Sequence, residues 1–365
     1  MIAFIVGTTA ELIKIAPVFH ELAGRGRPAE IWYSGQHVHE LSGTLADLRL
    51  PRPERWLVPQ HGARNVARPA DVPRWAGRLA ATVWSQRRAL RERLVADGTP
   101  AIVLVHGDTF TAPIGALIGR WLGARVGHVE AGLRSGSLLH PFPEELNRRV
   151  VGRVADLHFA PTAVEARNLR RSRGAVVTTG ANTVVDAVRE ALEHPEDTGI
   201  ALPESYGVAT LHRFELVRRE DLYRTALETL REYSARLPIV YFAGASERER
   251  LAAYGLTELF DGERFVLAEK LSYVRFLPVL ARAQFVVTDS GGLQEESAHL
   301  GIPCAVHRAR TERAVGTGST VLVTGFDTGR LREFLDDPRR HAGGSGSDDV
   351  HPSRTIVDAL ATLSS

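Results

Sequence analysis

Short apolar runs alternate with longer amphipathic segments along the first half of the chain. The runs 2–6, 31–33 and 101–105 each have the length of a buried strand, and apolar residues recur at helical spacing over 10–22 and 75–94. Strands that alternate with helices in this way favour βαβ units, whose strands lie in a parallel sheet. We therefore expect the first half of the chain to form one doubly wound α/β domain.

A second series of apolar runs follows residues 193–203, a segment rich in proline, acidic residues and glycine that is typical of a hinge. Helical segments separate these runs as well. The expected strands are 208–210, 239–242, 265–267, 285–288 and 304–306. The predicted fold class is therefore α/β, with two doubly wound Rossmann-like domains and an interdomain cleft. We expect the first domain at 1–172, completed by a C-terminal helix at 354–365, and the second at 173–353.

The composition narrows the class of protein and its partners. The 365 residues are 44% hydrophobic, enough to bury a core in each domain, and the formal net charge is +2, from 45 basic and 43 acidic residues. Because basic and acidic residues are mixed, neither nucleic acid nor a membrane is an expected partner. The single cysteine, Cys304, excludes an intrachain disulfide and a thiolate zinc cluster. With no signal peptide and no apolar stretch of the roughly 18 residues of a membrane span, we expect a cytoplasmic protein.

Acidic residues lie close behind two of the expected strands. Asp108 follows the expected strand 101–105, Glu130 follows a further expected strand at 125–129, and Glu144 lies just before an expected helix at 145–154. Open α/β sheets bind ligands at the carboxyl ends of their strands, where a desolvated carboxylate with a raised pKa can accept and return a proton. The alternative for each acid is a salt bridge with a nearby arginine, such as Arg134, Arg148 or Arg149.

The segment 288–296 has the composition of a phosphate site between a strand and a helix. Ser290 can cap the helix, while Gly291 and Gly292 let backbone amides approach an anion at its N-terminus. Glu296, one turn further on, is placed to bind ribose hydroxyls. A simple helix cap is the alternative, and the Gly-x-Gly-x-x-Gly and Gly-Lys-Ser/Thr patterns of other nucleotide sites are missing.

Other polar residues at expected strand ends are further candidates. The first strand also runs into a glycine turn and a helix, which suggests a second anion site with Lys14 beside it; the alternative is a solvated lysine. His212 and Arg213 follow the first strand of the second series, where an imidazole can bind a diphosphate or move a proton. His106 and His128 are expected to be core histidines with backbone partners, unless they orient the acids.

Several motifs occur in order along the chain and together are highly specific. They are Gly-Thr-x-x-Glu-x-Ile-Lys from residue 7, His-Gly-Asp-Thr from 106, Gly-His-Val-Glu-Ala-Gly-Leu-Arg-Ser-Gly from 127, Pro-x-Pro-Glu-Glu-x-Asn-Arg from 141, Asp-Ser-Gly-Gly-x-Gln-Glu-Glu from 289 and Thr-Glu-Arg from 311. On these motifs the chain resembles the UDP-N-acetylglucosamine 2-epimerases, from residue 1 to about residue 360.

The resemblance implies a fold like that of the glycosyltransferase B class, a homodimer, UDP-N-acetylglucosamine and UDP as ligands, and no nicotinamide or metal cofactor. It also implies a reaction in which the sugar loses its C2 proton and UDP, passes through 2-acetamidoglucal, and regains both to give UDP-N-acetylmannosamine. The implied catalytic residues are Asp108, Glu130, Glu144 and His212. The implied substrate-binding residues are Lys14, Arg134, Arg213, Ser290, Gly291, Gly292, Glu296 and Arg313.

The chain departs from the family pattern at a few positions. Thr9-Ala10 stands where Arg-Pro is usual, and the Thr-Gly-Asn-Thr motif contains an additional alanine, Ala181. Phe214 and Leu216 replace polar residues. Residues 57–74 follow the family pattern poorly, and in bacterial members of the family a second substrate molecule can bind in this neighbourhood and activate the enzyme. Whether this chain is activated in that way stays open. The alternatives are the hydrolysing epimerases, a glycosyltransferase of the same fold, and a non-catalytic sensor of nucleotide sugars. The near-complete first and fourth motifs favour the non-hydrolysing branch.

Overall fold

The computed structural model describes residues 1–38, 41–60, 65–66, 69–96, 98–136, 143–344 and 349–362. By its contacts the chain divides into two compact units, Met1–Glu190 with Asp348–Ser365, and Ala191–Ser347. The domain limits expected from the sequence stay a prediction. By contact, a strand and most of a helix that follow residue 173 belong to the first unit.

The first unit contains a parallel sheet, with seven strands among the described residues. They are β1 (Ile2–Val6), β2 (Ala29–Tyr33), β3 (Arg55–Trp56), β4 (Ile102–His106), β5 (Arg125–Val129), β6 (Leu157–Ala160) and β7 (Ala175–Thr178). The order across the sheet is β3-β2-β1-β4-β5-β6-β7, so the chain starts inside the sheet and winds outward in both directions. The doubly wound arrangement predicted from the sequence is confirmed.

Helices connect these strands. They are α1 (Thr9–Gly24), α2 (Leu41–Asp47), α3 (Val72–Val95), α4 (Thr111–Trp121), α5 (Glu144–Val154), α6 (Ala163–Asn168) and α7 (Val184–Glu193), and a 3₁₀ turn at Pro69–Asp71 precedes α3. Helix α1 begins with a capping box, in which Thr8 accepts from the amide of Glu11 and the Glu11 carboxylate accepts from the amide of Thr8. The cap fixes the helix directly behind β1.

The second unit repeats this architecture with a parallel sheet of six described strands. The strands are β8 (Gly207–Thr210), β9 (Ile239–Ala243), β10 (Phe265–Glu269), β11 (Val286–Thr288), β12 (Cys304–Val306) and β13 (Val321–Val323), in the order β10-β9-β8-β11-β12-β13. The α-helices are α8 (Phe214–Val217), α9 (Glu220–Ser234), α10 (Ala245–Ala253), α11 (Tyr273–Ala281), α12 (Gly291–Leu300) and α13 (Thr328–Asp336). Two 3₁₀ turns, Thr257–Leu259 and Pro338–His341, complete its helical elements.

The last helix, α14 (Pro352–Thr362), returns to the first unit. Its start is fixed by Asp186 of α7, whose carboxylate accepts from the amide of Ser353 over 2.7 Å. Further along, Asp358 pairs with Arg25 at the end of α1. Within the described part of the chain, none of the helices combines the length and the apolar character that crossing a bilayer requires.

Burial explains which strands the sequence pattern predicts. Strands β1 and β4 are buried at every residue, and parallel strands covered on both faces read as continuous apolar runs. The expected strands of both series are therefore confirmed. Four of the described strands are not predicted by the sequence pattern: the edge strands β3, β7 and β13, which are very short or largely exposed, and β6, where His158 interrupts the apolar run.

Helix α4 lies close to the first sheet because glycines face the strands. A Cβ atom added at Gly119 would lie 2.9 Å from Cβ of Val103 and 3.0 Å from Cγ2 of Val126. One at Gly115 would lie 2.8 Å from Cγ2 of Ile5. Real Cβ atoms do not approach so closely, so the spacing between helix and sheet depends on these two glycines.

We expect Gly119→Ala to destabilise the protein by about 1–3 kcal/mol, because the new methyl group overpacks the layer between α4 and the sheet. Gly77→Ala is the matched control, since a Cβ at this helical position meets nothing within 4 Å. The control should be neutral or gain up to about 1 kcal/mol from helix propensity. Urea unfolding of the three proteins gives both differences, and equal stability of the two variants would contradict the close packing.

Candidate active site

Glu130 lies immediately after β5 in an unusual backbone conformation. Its φ angle is 63°, in the left-handed region that side chains other than glycine seldom adopt. Such a conformation costs about 1–3 kcal/mol and persists only where the surroundings fix it. The side chain is 2% exposed, so the carboxylate is directed into the protein at the carboxyl edge of the sheet.

Three side chains surround the Glu130 carboxylate. Lys14 Nζ and Asn182 Nδ2 both donate to its Oε2 atom, and Nε2 of His106 lies 3.9 Å from the same oxygen. Lys14 is 8% exposed, so it is not a solvated helix lysine. A buried carboxylate requires donors of this kind, and a lysine in direct contact can also exchange a proton with it.

Asp108 lies at the end of the neighbouring strand and is bound by α5. Arg148 donates to its carboxylate, and the Nδ2 atom of Asn147 donates to its backbone oxygen over 2.8 Å. The salt bridge that the sequence leaves open as an alternative for Asp108 is therefore present. Since its side chain retains 22% exposure, the carboxylate remains accessible at the edge of the sheet while Arg148 holds it in place.

Glu144 and Glu145, the first two residues of α5, have different surroundings. Glu145 is fully buried and forms ion pairs with three arginines, at 2.9 Å to Arg149, 3.6 Å to Arg148 and 3.9 Å to Arg134. The Glu145 carboxylate therefore has a structural role, because it holds these arginines in place. Glu144 is half-buried at the start of the helix, which leaves it as the candidate for chemistry. Partial burial lowers the pKa of Arg134, which also donates to the Leu133 carbonyl.

The glycine turn after β1 is filled by the side chain of Glu11. The amides of Gly7 and Thr8 donate to its Oε2 atom over 2.8 and 2.9 Å, and Thr109 Oγ1 donates to Oε1 over 2.7 Å. The second anion site expected here is therefore occupied by a carboxylate of the chain itself, and that expectation is corrected. Because Thr109 follows Asp108, Glu11 also ties α1 to the loop after β4.

The two histidines beside these acids have different environments. His128 Nε2 lies 2.8 Å from the backbone oxygen of Gly107, and burial lowers the pKa of His128 to about 4, so this imidazole is neutral at pH 7. The expected core histidine with a backbone partner is confirmed for His128. His106 lies beside Glu130 instead, where it contributes to the surroundings of the acid.

In the second unit, adjacent strands bring two predicted segments together. Strands β8 and β11 pair in parallel, with Thr210 opposite Thr288, so the loops that follow them start side by side. Asp289 of the second loop accepts from the amides of His212 and Arg213, both over 2.8 Å. The expected placement of these residues at one edge of the sheet is confirmed.

The N-terminus of α12 gathers the other candidates of the second unit. Ser290 caps the helix by accepting from the amide of Leu293. A Cβ at Gly291 would lie 2.8 Å from Nε of Arg313, so glycine leaves the room in which the arginine crosses the first turn. A Cβ added at Gly292 would lie 3.8 Å from Oγ of Ser290 and 4.0 Å from Oε1 of Glu296. Amides, a hydroxyl, a carboxylate and a guanidinium therefore meet here.

Two residues of α12 hold Arg313 in this position. Glu295 pairs with its guanidinium, and both side chains are buried. Gln294 Nε2 donates over 3.0 Å to the backbone oxygens of Arg313 and Val315, while its Oε1 accepts from Thr311 over 2.7 Å.

Among the described residues, no group of three metal-ligating side chains is present.

Several residues that support these groups are not among the candidates predicted from the sequence, although each lies within one of the motifs. They are Glu11, Asn182, Asp289, Gln294 and Glu295. The signal was present, because a polar residue inside an ordered motif is a candidate partner for its neighbours. What the sequence lacks is the pairing: Asn182 and Glu130 lie far apart in the chain, and only the fold brings them together.

Comparison with known proteins identifies the relatives of this chain. The family model for UDP-N-acetylglucosamine 2-epimerase matches residues 85–341. The UDP-N-acetylglucosamine 2-epimerase of Bacillus subtilis (strain 168) is 33% identical over 97% of this chain and 93% of the relative.

Solved structures of similar proteins agree with this match. A UDP-GlcNAc 2-epimerase of Methanocaldococcus jannaschii in complex with UDP-GlcNAc and UDP has a TM-score of 0.77 at 28% identity, covering 99% of both chains. One from Neisseria meningitidis bound to UDP-GlcNAc has a TM-score of 0.78 at 26% identity, also covering 99% of both chains.

The buried Glu11 predicts a pH dependence of stability. Burial raises the pKa of Glu11 from 4.5 to about 7, although four hydrogen bonds to the carboxylate oppose that rise. The protonated folded form therefore contributes stability that is complete below pH 4.5 and is lost as the pH rises through 7. Relative to Glu11→Gln, we expect the wild type to lose about 1–3 kcal/mol over this window in urea unfolding.

Other groups titrate in the same range, so the difference between the two proteins is the quantity to measure. Glu228→Gln, at an exposed position of α9, controls for the loss of a carboxylate. Parallel pH profiles for the wild type and Glu11→Gln would show that Glu11 remains ionised in the folded protein across the window.

Proposed function

The chain belongs to the UDP-N-acetylglucosamine 2-epimerase family, and we propose that it interconverts UDP-N-acetylglucosamine and UDP-N-acetylmannosamine without net hydrolysis. The observation that carries this proposal is the environment of Glu130, a buried carboxylate bound by Lys14 and Asn182 in a strained backbone. Strain and charge at a strand end are expected where a side chain must be fixed for chemistry. A cytoplasmic location remains part of the proposal.

The reaction requires acid–base groups on two faces of one carbon. A base takes the C2 proton, the C2–H electrons form a C1=C2 bond, and the C1–O electrons leave with UDP. In the reverse sense, UDP adds to C1 of the 2-acetamidoglucal and C2 receives a proton on the opposite face. Asp108, Glu130, Glu144 and His212 are the candidates for these transfers, and the cycle is redox-neutral, so it needs no hydride cofactor.

The second unit supplies groups that suit UDP. The α12 N-terminus favours an anion through its amides and dipole, and Arg313 adds positive charge beside it. His212 and Arg213 follow the adjacent strand, where they are proposed to contact the diphosphate as it departs. Glu296 is proposed to accept from the ribose hydroxyls. In the first unit, Lys14 and Arg134 are also proposed to bind substrate.

Recapture of the glucal by UDP separates this proposal from hydrolysis. The non-hydrolysing branch is supported by the retained motifs around Lys14 and Glu144. A hydrolysing enzyme would release N-acetylmannosamine and UDP instead, and a glycosyltransferase would require an acceptor alcohol.

A homodimer is the proposed assembly. Trp84 of α3 and Trp121 of α4 stack with their ring centroids 5.6 Å apart, although they are 61% and 46% exposed. Leu117, one helical turn before Trp121, is also exposed. Contiguous exposed apolar side chains of this size are typical of a protein–protein contact, and a second copy of the chain is the proposed occupant.

We expect the wild-type protein, incubated with UDP-N-acetylglucosamine in deuterated water, to accumulate UDP-N-acetylmannosamine with deuterium at C2. Asp108→Asn should slow both exchange and epimerisation by about 10²–10⁴-fold, because it removes a carboxylate that accepts a proton. Proton NMR follows both events, and Asp221→Asn, which is 72% exposed on α9, is the control. Free N-acetylmannosamine would assign the hydrolysing branch, and full activity of Asp108→Asn would exclude Asp108 from catalysis.

We also expect the wild type to have the mass of two chains in light scattering after gel filtration. The double substitution Trp84→Glu and Trp121→Glu should shift it to one chain, since four carboxylates would face one another across the contact. Val164→Glu, at an exposed apolar position of α6, is the control for a new surface charge. A dimer that survives the double substitution would place the interface elsewhere.

A further inference from the structure

Asp289 is a fully buried carboxylate that joins the two loops of the second unit. It follows β11, and its Oδ2 atom accepts from the amides of His212 and Arg213, which follow β8. Nε of Arg213 in turn donates a hydrogen bond to the backbone oxygen of Asp289 over 3.1 Å. The backbone around His212 is thus attached to the start of the α12 segment.

The other carboxylate oxygen faces the imidazole. Nδ1 of His212 lies 3.2 Å from Oδ1 of Asp289, and this buried oxygen has no hydrogen-bond partner among the described residues, His212 included. A buried carboxylate oxygen needs a donor, and the imidazole N–H is the one within reach. The His212 side chain is 49% exposed, so the ring also borders solvent.

A tyrosine pair fixes this backbone from the opposite side. Tyr241 donates to the carbonyl of Leu211 over 2.9 Å, and its hydroxyl lies 2.7 Å from that of Tyr223. Desolvation raises the pKa of Tyr241, and the charge of Asp289 adds to that rise. The carbonyl of Leu211 and the amide of His212 are therefore both hydrogen-bonded. The side-chain torsions of His212 are the main conformational freedom that this residue retains.

We propose that Asp289 is a positioning residue that holds His212 with its proton on Nδ1, so that Nε2 faces the nucleotide sugar as the atom that accepts and returns a proton. The inference rests on the proposed function, in which His212 serves the diphosphate site. A carboxylate on one nitrogen selects the tautomer, fixes the ring, and stabilises the imidazolium when Nε2 gains a proton.

Asp289→Asn tests this assignment because the substitution preserves shape and reverses the tautomer. The asparagine oxygen can still accept from both amides, which places its NH₂ group against Nδ1 of His212. That nitrogen must then carry a lone pair, and the proton moves to Nε2. We expect kcat to fall at least tenfold, because an Nε2–H group cannot accept a proton, while the affinity for UDP weakens less than about threefold, since this N–H can donate to a diphosphate.

Nitrogen-15 NMR of His212 provides a readout that a structural role would not move. The wild type should show the Nδ1–H tautomer and Asp289→Asn the Nε2–H tautomer. Tyr241→Phe is the matched control, because it removes a neighbouring buried hydrogen bond without facing the ring, and it should keep the wild-type tautomer. An Nε2–H tautomer in the wild type overturns the proposal and needs no variant to fold.

A double-mutant cycle separates positioning from a general effect on the fold. If Asp289 acts through His212, Asp289→Asn should change kcat less than about twofold in the His212→Ala background. The same tenfold loss in both backgrounds would overturn the proposal. A wild type that does not turn over UDP-N-acetylglucosamine but shows the tautomer reversal supports the Asp289–His212 coupling and overturns only the proposed reaction.

Discussion

The first unit depends on the solvation of one buried charge, the carboxylate of Glu130. An isolated carboxylate costs several kcal/mol to remove from water, so the fold must provide its donors. Lys14 comes from α1 and Asn182 from the loop after β7, elements on either side of β5 in the sheet. The ends of separate βα units are therefore fixed against one oxygen atom. Such a charge stabilises little by itself, yet it specifies where each loop must lie.

The same device recurs wherever a candidate group is held. Glu11 binds the turn after β1 to Thr109, Glu145 gathers the arginines of α5, and Asp289 joins the loops after β8 and β11. In each case a buried carboxylate accepts from backbone amides or side chains of neighbouring loops. The residues proposed to meet substrate lie next to these carboxylates, which separates the role of positioning from the role of chemistry. Adjacent acids such as Glu144 and Glu145 illustrate this division.

The sequence predicts the architecture well because burial on both faces makes a parallel strand a continuous apolar run. It predicts the location of the candidate site for a related reason, since carboxyl ends of parallel strands share one edge. It does not predict partners. The sequence of the turn after β1 predicts an anion site, and only the structure shows that Glu11 fills it. Hydrogen bonds between distant segments depend on side-chain direction, which no local pattern encodes.

The additional alanine in the Thr-Gly-Asn-Thr motif lies in a turn that places Asn182 at Glu130. Gly180 turns the chain with φ of 86°, and Thr179 Oγ1 donates to the carbonyl of Ala181 over 2.7 Å, so the extra residue lies within a closed turn. The Thr179 amide stays bound to Ala160 at the end of β6. The backbone before Asn182 is therefore fixed, and Nδ2 of Asn182 donates to the Glu130 carboxylate. The turn that contains Ala181 therefore runs from a backbone bond at the end of β6 to the Asn182 amide on the Glu130 carboxylate.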